Sequence, residues 1–497
     1  MQATIREHAK VVIVGAGFSG LAMAIRLKQT GIEDFVLLER GDDVGGAWHF
    51  NTYPGCRCDV PSHLYSLSFA PNPNWSNTFS PQAEIRAYLG RCADEFGIRE
   101  HLRTGVEVEG ASWDEVEQRW EVETSAGAVA GQFLVNGMGP LTEPKFPDLP
   151  GLEKFEGATM HSARWNHDVH LAGKRIASIG TGASAIQYVP EIRKEAERLY
   201  VFQRTAPWVM PHGARPISDR ERAVFRRFPL VQRTIREAIY WGRELLVFGF
   251  VKRPSLMKRL EKLSRSHMAK QIPDRRLRER VTPDYTLGCK RLLPSNHWYR
   301  ALGEDNVELV TEGIAEVREN SVVGADGTER SVDAIVFGTG FHITDAPFAG
   351  LIRGRDGGTL GESWGGSPRA YLGTSVPGFP NLFLLLGANT GLGHGSMVYM
   401  IEAQVEHILA AIEACDRSGA TTIEVRRETY ESYNRDVDER MEGTVWNTGG
   451  CSSFYLDSTG RNSTQWPDFT WRFRRRAVNF ESGTYEIATR RPSPVTA

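Results

Sequence analysis

The stretch of residues 11–39 restricts the possible folds of this chain more than any other part of the sequence. A short β-branched run leads directly into Gly-Ala-Gly-Phe-Ser-Gly, and apolar residues at helical spacing follow. In a dinucleotide-binding unit of this kind, Gly15 makes the turn, Gly17 admits a pyrophosphate and Gly20 lets the helix pack on the strand. Glu39 ends the next apolar run, where a carboxylate can accept hydrogen bonds from a ribose hydroxyl. The stretch therefore predicts a parallel α/β sheet that binds a dinucleotide.

The same pattern returns at residues 175–204, as a strand, the turn Gly-Thr-Gly-Ala-Ser-Ala and a helix. Ala185 stands at the third glycine position, where only close packing of the helix is required. The number of residues from Gly180 to Arg204 is the same as the number from Gly15 to Glu39. A guanidinium there can bind a 2′-phosphate that a carboxylate would repel. The first site is therefore predicted to bind FAD or NAD(H), and the second site NADP(H).

Length and composition restrict the class of protein. A chain of 497 residues with 41% hydrophobic content allows about two to four domains. The formal net charge of -2 gives no electrostatic reason to expect nucleic acid or an anionic membrane as the main partner. No apolar run approaches the roughly 20 residues of a transmembrane helix, and we expect no signal peptide. The six scattered cysteines predict free thiols in a reducing cytoplasm and no metal site.

Changes of composition along the chain predict its domain organisation. We expect an α/β fold with two Rossmann-like dinucleotide-binding domains, one for FAD and one for NADP, and a helical insertion in the NADP domain. The predicted segments are 1–148 (FAD-binding domain, first part), 149–215 (NADP-binding domain, first part), 216–285 (helical insertion), 286–380 (NADP-binding domain, second part) and 381–497 (FAD-binding domain, second part, and C-terminal tail).

The predicted insertion differs from the rest of the chain in charge. Ser218 and Glu221 form a capping box, and two or three helices are expected to follow. Between Glu221 and Arg280 there are 17 Arg or Lys residues against 6 Asp or Glu residues. We interpret the insertion as a solvated helical lid whose apolar face packs on the core and whose charge attracts NADPH. A membrane-facing surface is the alternative interpretation.

A glycine-rich stretch with two aromatic residues, Trp48 and Tyr53, follows Glu39. Glycines at this density indicate backbone that lies against a flat or bulky group, which the aromatic rings can cover. A surface loop with buried aromatics would explain the same residues. Similarly, a lone histidine such as His161 is more often a packing residue than a catalyst.

With these motifs the sequence resembles the type I Baeyer–Villiger monooxygenases, within the class B flavin monooxygenases, over most of its length. The fingerprint of that family, FxGxxxHxxxW followed by Pro or Asp, corresponds to Phe155, Gly157, His161 and Trp165, with Asn166 in the last position. A second family pattern, [AG]GxWxxxx[FY]P[GM]xxxD, is matched completely by Gly45, Gly46, Trp48, Tyr53, Pro54, Gly55 and Asp59.

The resemblance implies a reaction. NADPH reduces FAD, O₂ adds to the reduced flavin, and an anionic C4a-peroxyflavin attacks a ketone carbonyl to give an ester or lactone. The Lys-Arg pair of the family corresponds to Lys290 and Arg291. Arg291 would stabilise the anion because its guanidinium stays protonated, and Asp59 would orient Arg291. The fingerprint residues His161 and Trp165 would couple the domains and position NADP.

Together, the motifs and the resemblance assign residues to each role. Arg291 and Asp59 are the predicted catalytic residues. The residues predicted to bind the cofactors are Gly15, Gly17, Gly20, Glu39, Gly46, Trp48, Tyr53, Asp59, Gly180, Thr181, Gly182, Ser184, Ala185, Gln187, Arg204, Thr205, Lys290 and Asn389.

Three other functions remain open at this point. A flavin monooxygenase that oxidises nitrogen or sulfur through a C4a-hydroperoxyflavin shares both nucleotide sites but does not need Arg291. A disulfide reductase is disfavoured because no CxxC lies near the flavin motifs. A non-catalytic, nucleotide-binding redox sensor is a more remote alternative. The expected partners are a small-molecule ketone and O₂, without nucleic acid. The sequence shows neither which ketone is oxidised nor the oligomeric state.

Overall fold

The two glycine turns belong to two different β-sheets in the computed structural model, which describes residues 5–489. The strands of this part of the chain are β1 Ile5–Val14, β2 Phe35–Leu38, β3 Leu102–Arg103, β4 Val108–Asp114, β5 Arg119–Thr124, β6 Gly127–Asn136, β7 Ala158–His161, β8 Arg175–Ile179, β9 Arg198–Phe202, β10 Val209–Met210, β11 Leu293–Pro294, β12 Val307–Val310, β13 Ile314–Arg318, β14 Ser321–Gly324, β15 Glu329–Ser331, β16 Ala334–Phe337, β17 Ile352–Arg353, β18 Leu382–Leu384, β19 Thr422–Val425 and β20 Tyr485–Ala488. Its α-helices are α1 Phe18–Gln29, α2 Ala47–Phe50, α3 Gln82–Glu95, α4 Ala185–Ile192, α5 Asp219–Arg227, α6 Pro229–Glu244, α7 Met257–Gln271, α8 Arg275–Arg280, α9 Trp298–Leu302, α10 Phe348–Leu351, α11 Leu360–Trp364, α12 Met397–Arg417, α13 Arg427–Met441, α14 Val445–Thr448 and α15 Thr470–Val478.

The first sheet holds the first glycine turn. Its strand order is β17-β4-β5-β6-β1-β2-β3, and β18 pairs with β6. The last four residues of β1 are buried and pair in parallel with β2, so that Val11 lies opposite Phe35. Burial on both faces of the sheet explains why this run is continuously apolar rather than alternating. β18 brings a segment from far along the chain back into the sheet beside β6.

Gly20 lies where α1 begins to pack against the turn that precedes it. A Cβ atom added at Gly20 would lie 1.8 Å from the carbonyl oxygen of Gly15, which itself has φ +92°. We expect Gly20→Ala to shift the turn, to lower the melting temperature, and to reduce the flavin absorbance of the purified protein, since overpacking of this kind costs about 1–3 kcal/mol. Gly242→Ala is the matched control, because a Cβ atom there meets nothing within 4 Å. Equal flavin content and melting temperature in the two variants would contradict this prediction.

The second sheet repeats the arrangement. Its order is β12-β9-β8-β16-β7, and all of its neighbouring strands are parallel. The second glycine turn connects β8 to α4, and β9 returns beside β8. The predicted α/β fold with two Rossmann-like sheets is therefore confirmed. The exact segment boundaries stay predictions, and their outermost parts, residues 1–4 and 490–497, lie outside the described residues.

The segment predicted as a helical insertion forms four α-helices, α5 to α8, rather than two or three. The predicted capping box of Ser218 and Glu221 is present at the start of α5. The inner side of α6 packs on the first nucleotide-binding unit: the ring of Tyr240 stacks on that of Tyr399 at 4.7 Å, and Arg236 donates to the carbonyl oxygen of His63 at 2.7 Å. α6 is thereby placed beside the segment between α2 and α3.

The prediction that all six cysteines are free thiols is wrong for two of them. Cys289 and Cys451 form a disulfide across 162 residues, with their Cα atoms 6.1 Å apart. Cys56, Cys58, Cys92 and Cys415 are free and buried. The fold places the turn before Cys289 against the tail, since the amide of Thr286 donates to the carbonyl oxygen of Gly449 at 2.9 Å. Sequence spacing carries no information about such a distant contact.

Candidate active site

The first glycine turn presents backbone donors at the start of α1. Gly17 is the N-cap of this helix and has no side chain to occupy the N–H groups of its first turn. These N–H groups and the positive end of the helix dipole fit a pyrophosphate. The carboxylate of Glu39 is buried and accepts hydrogen bonds from the amides of Ala16 at 2.7 Å and Gly41 at 2.8 Å. The turn itself thus fixes Glu39 at the end of β2.

The glycine-rich loop after β2 closes over this turn. A Cβ atom added at Gly46 would lie 2.8 Å from the Cα atom of Gly17, so that the two backbones are in contact. The indole N–H of Trp48 donates to the hydroxyl of Tyr65 at 3.0 Å. The hydroxyl of Tyr53 donates to the amide oxygen of Gln187 at 3.0 Å, which joins the loop to α4 of the second unit. Both aromatic residues are therefore packed and hydrogen-bonded rather than free on a surface loop, and cofactor binding by them stays a prediction.

The second glycine turn is tightly packed at its first glycine and has free space at its second. A Cβ atom at Gly180 would lie 2.4 Å from the carbonyl oxygen of Gly338, whereas one at Gly182 would meet nothing within 4 Å. Ser184 is the N-cap of α4 without a side-chain capping bond, and Ala185 is fully buried behind it. The hydroxyl of Thr181 donates to the carbonyl oxygen of Thr205 at 3.1 Å. The room at Gly182 and the absence of a side-chain cap at Ser184 fit a second pyrophosphate at this end of α4.

The side-chain amide of Gln187 has protein partners on both of its polar atoms, and cofactor binding by Gln187 stays a prediction. Its amide oxygen accepts from Tyr53 and from the backbone N–H of Arg57 at 3.2 Å, and its amide nitrogen donates to the carbonyl oxygen of Arg57 at 3.1 Å. A Cβ atom at Gly55 would lie 2.9 Å from the carbonyl oxygen of Gln187. The amide group of Gln187 is engaged in joining the two nucleotide-binding units.

A cleft of about 630 Å³ opens beside the end of β9. Its lining includes the predicted residues Arg204, Thr205 and Lys290, together with Arg280 from the end of α8. The pKa of Lys290 lies below its usual value because of burial and the nearby charge of Arg204. One acid, Asp284, also lines the cleft, so that three cations against one carboxylate leave a positive charge that fits a ligand with a phosphate outside its pyrophosphate. Arg280 was not predicted, because it lies in the insertion, far from the glycine turn in sequence.

Arg291 and Asp59, the predicted catalytic pair, meet across 232 residues of sequence. Nε of Arg291 donates to one carboxylate oxygen at 2.8 Å, and one of its terminal nitrogens donates to the other at 2.6 Å. The charge of Asp59 raises the pKa of Arg291 above its usual value. Burial acts to raise the pKa of Asp59, but the neighbouring Arg291 and Arg243 hold it below its usual value. The pair is therefore fully ionised, and the guanidinium has a fixed orientation.

Arg243, like Arg280, is a site residue that the sequence motifs do not indicate. It lies near the end of α6, and its two terminal nitrogens donate to the carbonyl oxygens of His394 at 2.8 Å and Asp59 at 3.4 Å. Burial lowers the pKa of Arg243, and the charge of Asp59 opposes that effect. The next residue, Glu244, is buried and lies 3.1 Å from the ring nitrogen Nε2 of His394. The helical insertion thus brings a second guanidinium to Asp59, which no motif in the sequence indicates.

The fingerprint residues lie in and beside the second sheet. His161 ends β7, and its Nδ1 accepts from the amide of Ala163 at 3.1 Å, while burial lowers its pKa to about 4. A Cβ atom at Gly157 would lie 2.5 Å from the ring of Phe155. The ring of Trp165 is 5.7 Å from that of Tyr188 in α4.

Neither Asn166 nor Asn389 is brought to the catalytic pair by a side-chain contact. Asn166 is exposed and accepts from the amide of Asp168 at 2.9 Å. The side-chain nitrogen of Asn389 donates to the carbonyl oxygens of Asn462 and Gln465 in the tail, at 2.9 Å and 3.0 Å. Cofactor binding through the side chain of Asn389 stays a prediction.

Known proteins resemble this chain over nearly its whole length. The model of the family described as flavin-binding monooxygenase-like matches residues 8–236. A Baeyer–Villiger monooxygenase of Streptomyces coelicolor is 49% identical over 495 residues, which cover 99% of this chain and 95% of that protein. The solved structure of an oxidised steroid monooxygenase bound to NADP has a TM-score of 0.86 and 32% identity, covering 97% of this chain and 100% of that chain. A structure of OTEMO in complex with FAD and NADP has a TM-score of 0.87 and 28% identity, covering 97% and 99%.

Proposed function

Because this chain belongs to the Baeyer–Villiger monooxygenase family, we propose that it inserts one oxygen atom of O₂ next to a ketone carbonyl and releases an ester or lactone. The observation that supports this proposal most directly is the bidentate pair of Arg291 and Asp59. The pair supplies a fixed cation, and the loop that carries Asp59 also closes over the first glycine turn and reaches α4 beside the second.

Two cofactors are needed for this reaction, and the site residues fit both. FAD would be held at the first turn by Gly15, Gly17 and Gly20 and by the carboxylate of Glu39. NADPH would be held at the second turn, with its 2′-phosphate in the cleft beside Arg204. When bound, these cofactors supply the electrons that activate O₂. The two sets of residues correspond to the cofactors named for OTEMO.

The charged residues then have separate roles. Arg291 places a permanent positive charge where negative charge develops on the substrate oxygen as the ketone is attacked. Asp59 keeps the guanidinium in one orientation through both of its carboxylate oxygens. Arg243 holds the backbone of Asp59 and adds a second positive charge to the group. Two guanidinium groups and one carboxylate leave a net positive charge, which favours an anion in this site.

The segment assignment follows from the same arrangement. We assign residues 1–148 and 381–497 to the FAD-binding domain, and 149–215 and 286–380 to the NADP-binding domain with 216–285 as its insertion. The pairing of β18 with β6 supports the return of the chain to the first domain. The pairing of β17 with β4 favours an earlier return than residue 381, because Ile352 and Arg353 already form a strand of the first sheet.

Oxidation of a nitrogen or sulfur atom is the competing reaction. It has no use for a permanent cation beside the flavin, whereas here one guanidinium is held by two hydrogen bonds and approached by another. The names of the relatives also favour ketone oxidation. A cytoplasmic location stays a prediction, which the four free thiols favour and the Cys289–Cys451 disulfide opposes.

The direct test is product analysis. The holoenzyme would be incubated with NADPH, air and a panel of linear, cyclic and steroid ketones, with a thioether as the competing substrate. We expect at least one ketone to give an ester or lactone, with one NADPH consumed for each product molecule. Ketones recovered unchanged beside a sulfoxide would favour heteroatom oxidation. NADPH binding without turnover of any substrate would favour the redox-sensor alternative.

A further inference from the structure

Large apolar side chains are exposed mainly on the helical insertion. Among the described residues, eight of the thirteen exposed large hydrophobic side chains lie in residues 216–285, which make up about one seventh of the chain. They are Val224, Phe228, Leu230, Val231, Trp241, Leu245, Phe248 and Leu263. Single exposed apolar side chains scattered over a surface are normal, but their concentration on one segment indicates an interaction surface.

Four of these side chains form a line. Leu230, Trp241, Leu245 and Phe248 are spaced by 11, 4 and 3 residues along α6 and the π-helical turn Phe248–Lys252, so that they share one side of the helix. Their exposure is 75%, 53%, 66% and 46%. We call these four residues the insert ridge. α6 is anchored by buried residues away from the ridge, with Gln232 on the opposite side of the helix and Tyr240 and Glu244 on one flank.

The insert ridge continues onto the C-terminal helix. The ring of Phe248 lies 5.4 Å from that of Phe469, in an edge-to-face contact. Phe469 in turn lies 6.1 Å from Trp471 at the start of α15, and the guanidinium of Arg472 covers both rings at 5.7 Å and 5.2 Å. The apolar line is therefore continuous with a helix whose sequence, TWRFRRRAV, is strongly basic.

Positive charge surrounds the insert ridge. Arg227, Arg233 and Arg253 are exposed in the insertion beside it. Lys252 and Arg472 are exposed as well, although both lie within ion-pair distance of the buried Asp468. Glu237, four residues before Trp241, is the exposed acid of α6 and lies on the ridge side, whereas Glu244 is buried. Between Glu221 and Arg280 there are 17 basic residues and 6 acidic residues, so the acids of the insertion do not neutralise its positive charge. Two copies of such a surface would repel each other, whereas an anionic lipid surface would attract it.

We propose that the insert ridge docks on an anionic lipid bilayer, with Trp241, Leu245 and Phe248 entering the headgroup region and the surrounding arginines contacting lipid phosphates. A helix with Trp, Phe and Leu on one side and basic residues beside them is the type that lies in a membrane interface. None of the helices in residues 5–489 combines the length and apolar character needed to cross a bilayer. The docking is therefore peripheral and depends on lipid charge.

Co-sedimentation of the holoenzyme with vesicles tests this surface without turnover. We expect binding to vesicles of phosphatidylcholine with about one third phosphatidylserine, weaker binding to phosphatidylcholine alone, and loss of binding as salt rises well above about 0.1 M, where the screening length falls below about 10 Å. The double variant Trp241→Ser/Leu245→Ser should reduce the bound fraction at least about tenfold. Val116→Ser is the matched control, because Val116 is 66% exposed but lies between β4 and β5.

Three results would overturn the proposal. One is a wild-type protein that stays in the supernatant with every vesicle, and another is equal sedimentation of wild type and double variant. The third is a dimer in sedimentation velocity that the double variant dissociates, because the insert ridge would then bind a second copy of the chain. A retained flavin spectrum in each variant shows that it is folded.

Discussion

Replacement of Arg291 by alanine is expected to lower ketone oxygenation by about 10³-fold while NADPH still bleaches the flavin under anaerobic conditions. Hydride delivery depends on the two nucleotide sites, which the substitution leaves in place. Attack on the ketone needs the cation that Asp59 holds at 2.6 Å and 2.8 Å. Stopped-flow flavin reduction and ester yield, measured on the same preparation, separate the two steps.

Two further variants sharpen this test. Arg291→Lys keeps a positive charge but not the two-pronged hydrogen bond to Asp59, so we expect activity between those of wild type and Arg291→Ala. Arg417→Ala removes an arginine whose side chain is 69% exposed and should behave as wild type. A normal ester yield from Arg291→Ala would remove Arg291 from the reaction. Without Arg291, Asp59 keeps only Arg243 as a neighbouring cation, and this loss could disturb the fold. The flavin spectrum of Arg291→Ala therefore serves as the check that the variant is folded.

The second large effect concerns the choice between NADPH and NADH. Arg204→Ala should raise the KM for NADPH about 10- to 100-fold and leave the KM for NADH within about twofold, because one charge-assisted contact to the 2′-phosphate contributes about 1.5–3 kcal/mol. Lys290 and Arg280 line the same cleft and should preserve part of the preference. Steady-state kinetics with both nucleotides, at saturating ketone, measures the ratio.

A matched control for this prediction lies at the start of the strand that precedes Arg204. Arg198 begins β9 and donates to the carbonyl oxygen of Asp305, away from the cleft, so that Arg198→Ala should leave both KM values unchanged. Arg204→Lys should retain most of the NADPH preference through its charge. Equal increases of KM for NADPH and NADH in Arg204→Ala would show that Arg204 does not contact the 2′-phosphate.

Local features of the fold could be predicted because their causes are local in sequence. The strand before Gly15, the turn that Gly20 closes and the capping box of Ser218 are each determined by residues a few positions apart. Repetition of the first motif around Gly180 made the second sheet predictable in the same way.

The joining of Arg291 to Asp59 was expected only from a family resemblance, and Arg243 was not expected at all. Arg243 reaches Asp59 because α6 is anchored through Tyr240 and Arg236 to the first nucleotide-binding unit. The Cys289–Cys451 disulfide likewise depends on where the tail lies. Contacts across 150 or more residues leave no periodic or spacing pattern in a single sequence.

The order of residues is enough to predict two nucleotide-binding units and the opposite charges of Glu39 and Arg204 near the ends of their second strands. These properties follow from backbone conformation and side-chain type over short spans, where neighbours in sequence are neighbours in space. By contrast, the folded chain was needed to show that two arginines share one aspartate and that the insertion carries an apolar line on its outer side. Those arrangements depend on how separate helices and loops pack against one another, because burial and charge pairing are properties of the folded surface and not of the order of residues.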